Sequence, residues 1–503
     1  ASTLYGGGAI AGLVNLVSKT PGKDRELNFL ANGTSAGGLD LSGFYSQRYG
    51  KAGLTLFASR NSNRPFDPAG NGITAIPRFE RYTVNPRLFW YGQNTTADVG
   101  ISYITEDRTG GSMAHIKEGA NEFFETNNTD RITAQLGVTH RFAENSSLQF
   151  KSSYSHFDRV LRIPDYVFDA LQQSSFTELS WNRHGAVTDW VVGANVMTEN
   201  LQERGQTPDP KRDYHYNTFG LFVQNVWPVS GRVVLESGLR ADYVNAFGLA
   251  VLPRVSAMFR LSDHLTTRIG GGYGYKPPTI FTEEAERRYF KHLQPINISQ
   301  SVFERSAGGN WDINYRTRFG RLGFSINQLF FYTRLRHPLV LDSLGGGNIA
   351  LRNANGYLDT KGMETNLRLT YGAFKLFVGY TYTDANTRYD DQKAPLPLTA
   401  RHRLNNVLMY EIEEKWKLGL EAYYFSSQVL TDGSEGRPYW IAGFMAEKIW
   451  ERWSLFVNFE NMTDTRQSKF GPIFTGPLTN PVFADIYAPV EGFVVNGGLK
   501  LRL

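Results

Sequence analysis

Apolar and polar residues alternate one by one through most of the chain. Over 373–385, Phe374, Leu376, Val378, Tyr380 and Tyr382 share one parity, with Lys375, Gly379, Thr381 and Thr383 on the other. Trp416, Leu418, Leu420, Ala422 and Tyr424 alternate with Lys417, Gly419 and Glu421, and Val233, Leu235, Leu239 and Tyr243 with Glu236, Arg240 and Asp242. The closing stretch repeats the pattern with Phe493, Val495, Leu499, Leu501 and Leu503. Successive side chains of a strand point to opposite faces, so this period of two predicts strands with one apolar face. The pattern gives about 22 such segments, an even number, as closed bacterial barrels require.

The connections carry as much information as the strands. Every second one is very short: Gly50-Lys51, Gly92 to Thr95, Ala143 to Asn145, His184-Gly185, Val229 to Gly231, Ser262-Asp263, Phe319-Gly320, Gly372 and Glu413-Glu414. Those between are mostly long, over 62–79, 107–129, 157–172, 199–216, 276–299, 335–356, 386–400 and 462–490. An up-and-down barrel alternates in this way when one rim faces the periplasm and the other the exterior. Trp90, Trp181, Trp190, Trp227, Trp416, Trp450 and Trp453 lie close to short turns. Indole favours the headgroup region, where its body is buried and its N–H stays wet. These tryptophans predict a girdle at the periplasmic interface.

Composition first argues against a membrane protein and then for one of this kind. The 503 residues are 41% hydrophobic with a mean hydropathy of -0.36. No apolar run approaches the roughly 18 residues of a spanning helix. A transmembrane barrel, however, hides its lipid face in alternate residues. Aromatics make up 14% of the chain and Gly 50 of its residues, which suits crowded strands and tight turns. Cysteine is absent, excluding disulfides, thiolate metal sites and cysteine nucleophiles. The formal charge of +5 is spread along the sequence and forms no stripe suited to nucleic acid. Ala1 does not open a signal peptide, and secretion requires one, so the sequence is expected to be processed or cut.

Several motifs in order resemble the TonB-dependent outer-membrane receptors over essentially the whole length. Ser2-Thr3-Leu4-Tyr5-Gly6-Gly7-Gly8-Ala9-Ile10-Ala11-Gly12 followed by Val14-Asn15-Leu16-Val17-Ser18-Lys19 is similar to the end of the family's plug. Gly271-Gly272-Tyr273-Gly274-Tyr275-Lys276-Pro277-Pro278 resembles the segment entering a long surface loop. Lys361-Gly362-Met363-Glu364, Tyr380-Thr381-Tyr382-Thr383-Asp384-Ala385 and Val457-Asn458-Phe459-Glu460-Asn461-Met462-Thr463-Asp464 are similar to late-barrel signatures. Two departures stand out. The chain ends Arg502-Leu503, where members usually end on an aromatic residue. Only 1–19 can belong to a plug, which in the family is far longer, and the TonB-binding segment that precedes a plug is missing.

The resemblance implies an all-β, transmembrane antiparallel barrel over 20–503 with a short plug remnant over 1–19, including a last plug strand within Ile10 to Val17. It implies a monomeric outer-membrane transporter importing a ferric siderophore with TonB, and no resident cofactor, since iron travels as part of the ligand. Outer-membrane lipid and lipopolysaccharide are the other expected partners, and a capping lipoprotein is left open.

Candidate ligand residues come from the loops. Arg287, Arg288, Tyr289, Phe290 and His292 lie with Glu283, Glu284, Glu286 and Lys291 in the richest one. Guanidinium groups hold carboxylate or catecholate oxygens in pairs, and aromatic faces stack on a flat chelate. The same residues equally suit a solvated loop paired with itself or with lipopolysaccharide phosphates. Arg334, Arg336 and His337 open another loop, and Phe123 and Phe124, near His115, can form an apolar lip. With His215 and His292, His115 and His337 keep a haem receptor open. Cobalamin, copper and glycan import remain within the family's range, and a passive porin is the rival of another class. An enzyme is not expected: there is no phosphate loop, nucleophile elbow or HExxH helix.

Overall fold

The computed structural model describes residues 3, 4, 6–8, 14–205 and 211–503. Its wall begins with β1 Glu26–Thr34, β2 Gly38–Tyr49, β3 Ala52–Asn63, β4 Arg78–Tyr91, β5 Thr95–Gly111, β6 Phe124–Ala143, β7 Ser146–Ile163 and β8 Tyr166–His184. It continues through β9 Asp189–Glu203, β10 Tyr214–Ser230, β11 Val233–Val244, β12 Gly248–Arg260, β13 Leu265–Lys276, β14 Glu304–Phe319 and β15 Leu322–Arg336. The last are β16 Gly356–Tyr371, β17 Phe374–Tyr389, β18 His402–Ile412, β19 Trp416–Phe425, β20 Tyr439–Ile449, β21 Trp453–Glu460 and β22 Val494–Arg502. Each pairs antiparallel with the next, and β1 pairs with β22, so 22 strands close the barrel. A four-residue strand, Gln392–Pro395, hangs on the upper end of β17.

Closure follows from what hydrocarbon demands. An unpaired backbone N–H or C=O there costs several kcal/mol, so no free edge is tolerated. The seam is sealed at its end by reciprocal bonds between Leu27 and Leu503, at 3.1 and 2.8 Å. Phe29 stands opposite Leu501, so an aromatic ring lies beside the terminal strand although the chain ends without one.

The alternation predicted from sequence is the outward–inward alternation of this wall. On β10, Phe219, Leu221 and Trp227 are 54%, 66% and 42% exposed, while Tyr216 and Phe222 on the other parity are buried. Outward exposure of this kind is the lipid contact face. Tyr49, Trp90, Trp190, Trp227, Trp416, Trp450 and Trp453 are exposed near the short turns, forming the lower girdle. Tyr82, Tyr103, Tyr154, Tyr243, Tyr273 and Tyr332 are exposed further up their strands. From Trp90 to Tyr82 on β4 is eight residues, about 20 Å of height at the usual tilt, close to the apolar band of such barrels. The short turns need little room: Gly320 and Gly372 reverse the chain at φ 56° each, a left-handed conformation natural to glycine.

Two motifs found apart in the sequence are partners in the wall. Lys361 and Gly362 stand opposite Asp384 and Thr383 on β17. A Cβ on Gly362 would lie 2.1 Å from the Tyr382 carbonyl oxygen and 2.6 Å from the Phe331 ring, so only glycine fits.

One long connection is replaced. Residues 157–172 are not a loop: β7 runs to Ile163, Pro164-Asp165 turn, and β8 starts at Tyr166. Their alternation is inverted, because the inner face here is apolar, with Leu161, Phe168 and Ala170 buried, while the outer parity carries Asp158, Arg162 and Asp169. The connection at 199–216 shrinks similarly, as β9 reaches Glu203 and β10 starts at Tyr214. The segment opening the chain is only partly visible. Residues 10–13 of the expected plug strand lie outside the described residues, and 14–17 carry no strand, with Val14, Leu16 and Val17 exposed.

The wall also has an incomplete seam. β12–β13 pairing stops at Arg254 opposite Gly272, whereas β13 stays beside β14 as far as Lys276 opposite Glu304. Above the break Tyr275 is buried, and its hydroxyl donates to Asp242 at 3.0 Å.

The lipid-facing assignment makes a prediction. Leu221→Arg should destabilise the barrel by about 2–4 kcal/mol, and the inward-facing Gln224→Arg by much less. Reversible denaturant titrations in vesicles check it; equal losses would contradict the assignment.

Candidate functional site

The long connections meet above the wall, and the one over 277–303 organises them. Thr282 caps a short helix, α1 Glu283–Arg287, its hydroxyl accepting from Ala285 N at 3.2 Å. Glu283, Glu284 and Glu286 lie in its first turn, where the helix dipole favours carboxylates. The acidic run is thus explained by local structure. Beyond α1 the chain dives into an apolar core. Ile280, Ala285, Phe290, Leu293 and Phe303 are all at most 2% exposed. They pack on Leu161, Phe168, Leu201, Tyr214, Tyr216, Val244 and Leu252 from the inner faces of β7–β12.

Ion pairs, one of them fully buried, pin this loop. Arg212 and Glu203 form a bond of 2.7 Å with 0% and 2% of their side chains exposed. The Arg212 guanidinium also donates to the Phe290 carbonyl and, at 3.0 Å, to the Tyr166 hydroxyl. Arg159 pairs with Glu286 at 3.2 Å. Asp485 joins three loops, accepting from Arg287 at 2.9 Å and from Thr431 N and Oγ1 at 2.7 and 2.6 Å. The connection at 337–355 folds as a hairpin, Leu339–Gly345 with Asn348–Asn353, and exchanges backbone bonds with 277–303 through Ile349, His292 and Gln294.

The structure sorts the sequence candidates into distinct places. Phe123 and Tyr289 come together, ring centroids 6.3 Å apart, and Phe483 lies 5.3 Å from Phe123. Burial first, then the neighbouring Glu125 carboxylate, raises the Tyr289 hydroxyl above the ordinary phenol range, so it stays a hydrogen-bond donor at neutral pH. Arg288 beside it is exposed. Arg287 is held by Glu283 and Asp485. Phe290 is fully buried, stacked on Phe168 at 4.5 Å, and so packs the loop instead of facing a ligand. Phe124 stacks on His115 at 4.4 Å, away from Tyr289.

His292 is exposed at φ 61° and His337 at φ 54°. His215 is corrected from loop to strand, standing exposed on β10. Among the described residues, no three His, Asp or Glu side chains gather as a metal site. Arg334 and Arg336 leave the mouth altogether. Arg334 Nε donates to the Tyr332 hydroxyl at 3.0 Å, and both arginines share the outward parity of Tyr332. Sequence reasoning missed Asp485, Phe483 and Arg212. Nothing local marks them, because each acts on a loop distant in sequence.

A closed 22-strand transmembrane barrel with short turns on one rim and interlocked loops on the other defines an outer-membrane receptor–transporter scaffold. Residues 70–462 match the family model for the TonB dependent receptor-like β-barrel, and the chain belongs to that family. A search of curated protein sequences gave no match. Among solved structures, it is similar to the siderophore receptor PirA from Pseudomonas aeruginosa, at 17% identity and TM-score 0.74, covering 100% of this chain and 85% of that one. A mutant of the ferric enterobactin receptor PfeA from the same organism gives 14% and 0.77, covering 100% and 84%. The ferric-catecholate import receptor Fiu from E. coli gives 13% and 0.74, covering 98% and 83%.

Arg212→Ala should strand Glu203 in a dry site and weaken the docking of 277–303 by about 3–5 kcal/mol. Hydrogen exchange across 285–293 would then speed up while β14–β22 stay protected. Unchanged exchange in the loop would remove the pinning role.

Proposed function

We propose that this protein imports a ferric siderophore across the outer membrane, drawing on TonB for energy. The observation that carries the reading is the loop assembly around Asp485 and the Phe123–Tyr289–Phe483 cluster, which sets aromatic faces beside the exposed Arg288. An anionic ferric chelate presents flat aromatic arms and charged oxygens. Ring faces and a guanidinium answer both features. Family membership and the siderophore receptors among the structural neighbours support the same substrate class.

A barrel of this size encloses a lumen too wide for its own side chains to fill. In the proposal a plug continuous with residues 1–19 closes it. Three observations support an inward path for that segment. Thr3 is buried, and a Cβ on Gly238 would lie 2.1 Å from its hydroxyl. Gly6 lies against the Arg240 guanidinium, and the Gly7 carbonyl accepts from Tyr275 N at 3.1 Å. Ligand seated on the loops would be released inward when TonB pulls on the plug. The outer membrane has no nucleotide supply, so the work must come from the inner-membrane proton gradient.

Arg288→Ala with Tyr289→Ala should weaken binding of an anionic ferric catecholate by roughly tenfold to 100-fold, at about 0.7–1.4 kcal/mol for each side chain removed. Titration with the ferric chelate, with haem and cobalamin as comparison ligands, measures it. Unchanged affinity would return these residues to a solvated surface. Uptake that survives collapse of the proton gradient would point to a passive pore.

A further inference from the structure

The inner face of the wall carries a group of arginines at its periplasmic rim. Trp311 and Phe319 on β14, Ile269 on β13 and Tyr371 on β16 are exposed to lipid. Arg316, Arg318, Arg268 and Arg368, on the opposite parity of the same strands, therefore face the lumen. Arg260, at the lower end of β12, shares the inward parity of the buried Leu252. Each lies within a few residues of a short turn. Register sets three of them around one hollow. Arg316 stands opposite Ser325 and Ser325 opposite Arg368. One row lower, Arg318 stands opposite Gly323 and Gly323 opposite Thr370. Arg316 and Arg368 are two strand spacings apart, about 10 Å. The residues between them are small, so the guanidinium groups have room to converge. Asp263 and His264, from the turn between β12 and β13, line the same recess.

Missing partners set this sector apart. Toward the same rim, Arg87 pairs with Asp98, Lys151 with Glu178, Lys375 and Lys417 with Glu411, and Lys500 with Glu447. Among the described residues, Arg260, Arg268, Arg316, Arg318 and Arg368 form no ion pair. Asp312 stands opposite Arg268 in register and Asp263 lies in the turn, too few to neutralise five guanidinium groups. Charge of one sign along a watery passage with low-dielectric walls focuses the field and concentrates anions there. The sector is thus an electropositive patch on one side of the lower opening.

We propose that Arg316, Arg318 and Arg368 form an exit site that catches an anionic ferric chelate at the periplasmic end of the lumen. The inference rests on the import reading and adds a second station to it, at the far end from Arg288 and Tyr289. Guanidinium forks hold catecholate or carboxylate oxygens in pairs. Arg260 and Arg268 extend the attracting field over the neighbouring strands. All five side chains stand in water, where an ion pair is weak, so the chelate is held loosely enough to leave.

The chain has no cysteine, so Asn327→Cys, on the inward parity just above Ser325, takes a single fluorophore. In detergent micelles an anionic ferric tris-catecholate, which absorbs visible light, should quench this label saturably, and less so in high salt. R316Q/R318Q/R368Q in the labelled protein should need roughly tenfold more chelate for the same quenching, three exposed contacts being lost. R316K/R318K/R368K should keep most of the quenching, and a neutral ferric hydroxamate should give none that saturates. Heat-modified electrophoretic mobility confirms that each variant is folded. Equal quenching in the glutamine variant, or by the neutral chelate, would overturn the proposal. R288A/Y289A in the labelled protein separates the exit site from the mouth. Quenching that persists there, and is lost in the glutamine variant, supports an exit site even if binding at the mouth proves not to depend on Arg288 and Tyr289. Quenching lost there but kept in the glutamine variant would assign the chelate to the mouth alone, ending the exit site and leaving the import reading in place.

Discussion

A β-strand that crosses hydrocarbon must have both of its edges paired, and everything else in this molecule is arranged around that demand. Water cannot satisfy a stray amide inside the bilayer, so the sheet turns back on itself and the last strand meets the first. Once the ring is closed at 22 strands, its width leaves an interior that the wall cannot fill. The rest of the chain deals with that space. Turns at the lower rim stay short because they only reverse direction. Most connections at the upper rim are long because they have a mouth to cover; those at 35–37, 164–165 and 245–247 are tight turns.

The mouth is built by a second, drier kind of packing. Below it, apolar side chains face outward to lipid; at the level of Leu161, Phe168 and Tyr216 they face inward and bury the loop carrying Phe290 and Leu293. The wall thus reverses its polarity with height. Arg212 and Glu203 lie in that dry zone and are satisfied only by each other, by Tyr166 and by the Phe290 carbonyl. Such a pair adds little net stability against an apolar alternative, but it leaves the loop few other ways to sit.

Sequence alternation made the lipid-facing parity legible, as at Phe374 to Tyr382 and Trp416 to Tyr424, because only one face of those strands is apolar. It failed at 157–172, where a loop covers the inner face and makes it apolar while the outer parity carries Asp158, Arg162 and Asp169, so the pattern is inverted. The loop candidates were legible as chemistry but not as positions. Phe290 and Arg288 both suit a ligand by residue type, yet burial separates them completely. The rim arginines escaped for another reason. Arg268, Arg316, Arg318 and Arg368 are scattered over three strands, and only pairing register brings them to one sector.

The break between β12 and β13 has a mechanical meaning. Above Gly272 the upper part of β13, with β14, is no longer stitched to its neighbour on that side, and the large loop hangs from this pair. On that side it is held by side-chain packing and by the Tyr275 N bond to Gly7 instead of by the β12 backbone, while β14 stays stitched to β15 up to Arg305 opposite Arg336. A load on the loop would therefore reach one neighbouring stave through side chains and the other through backbone bonds.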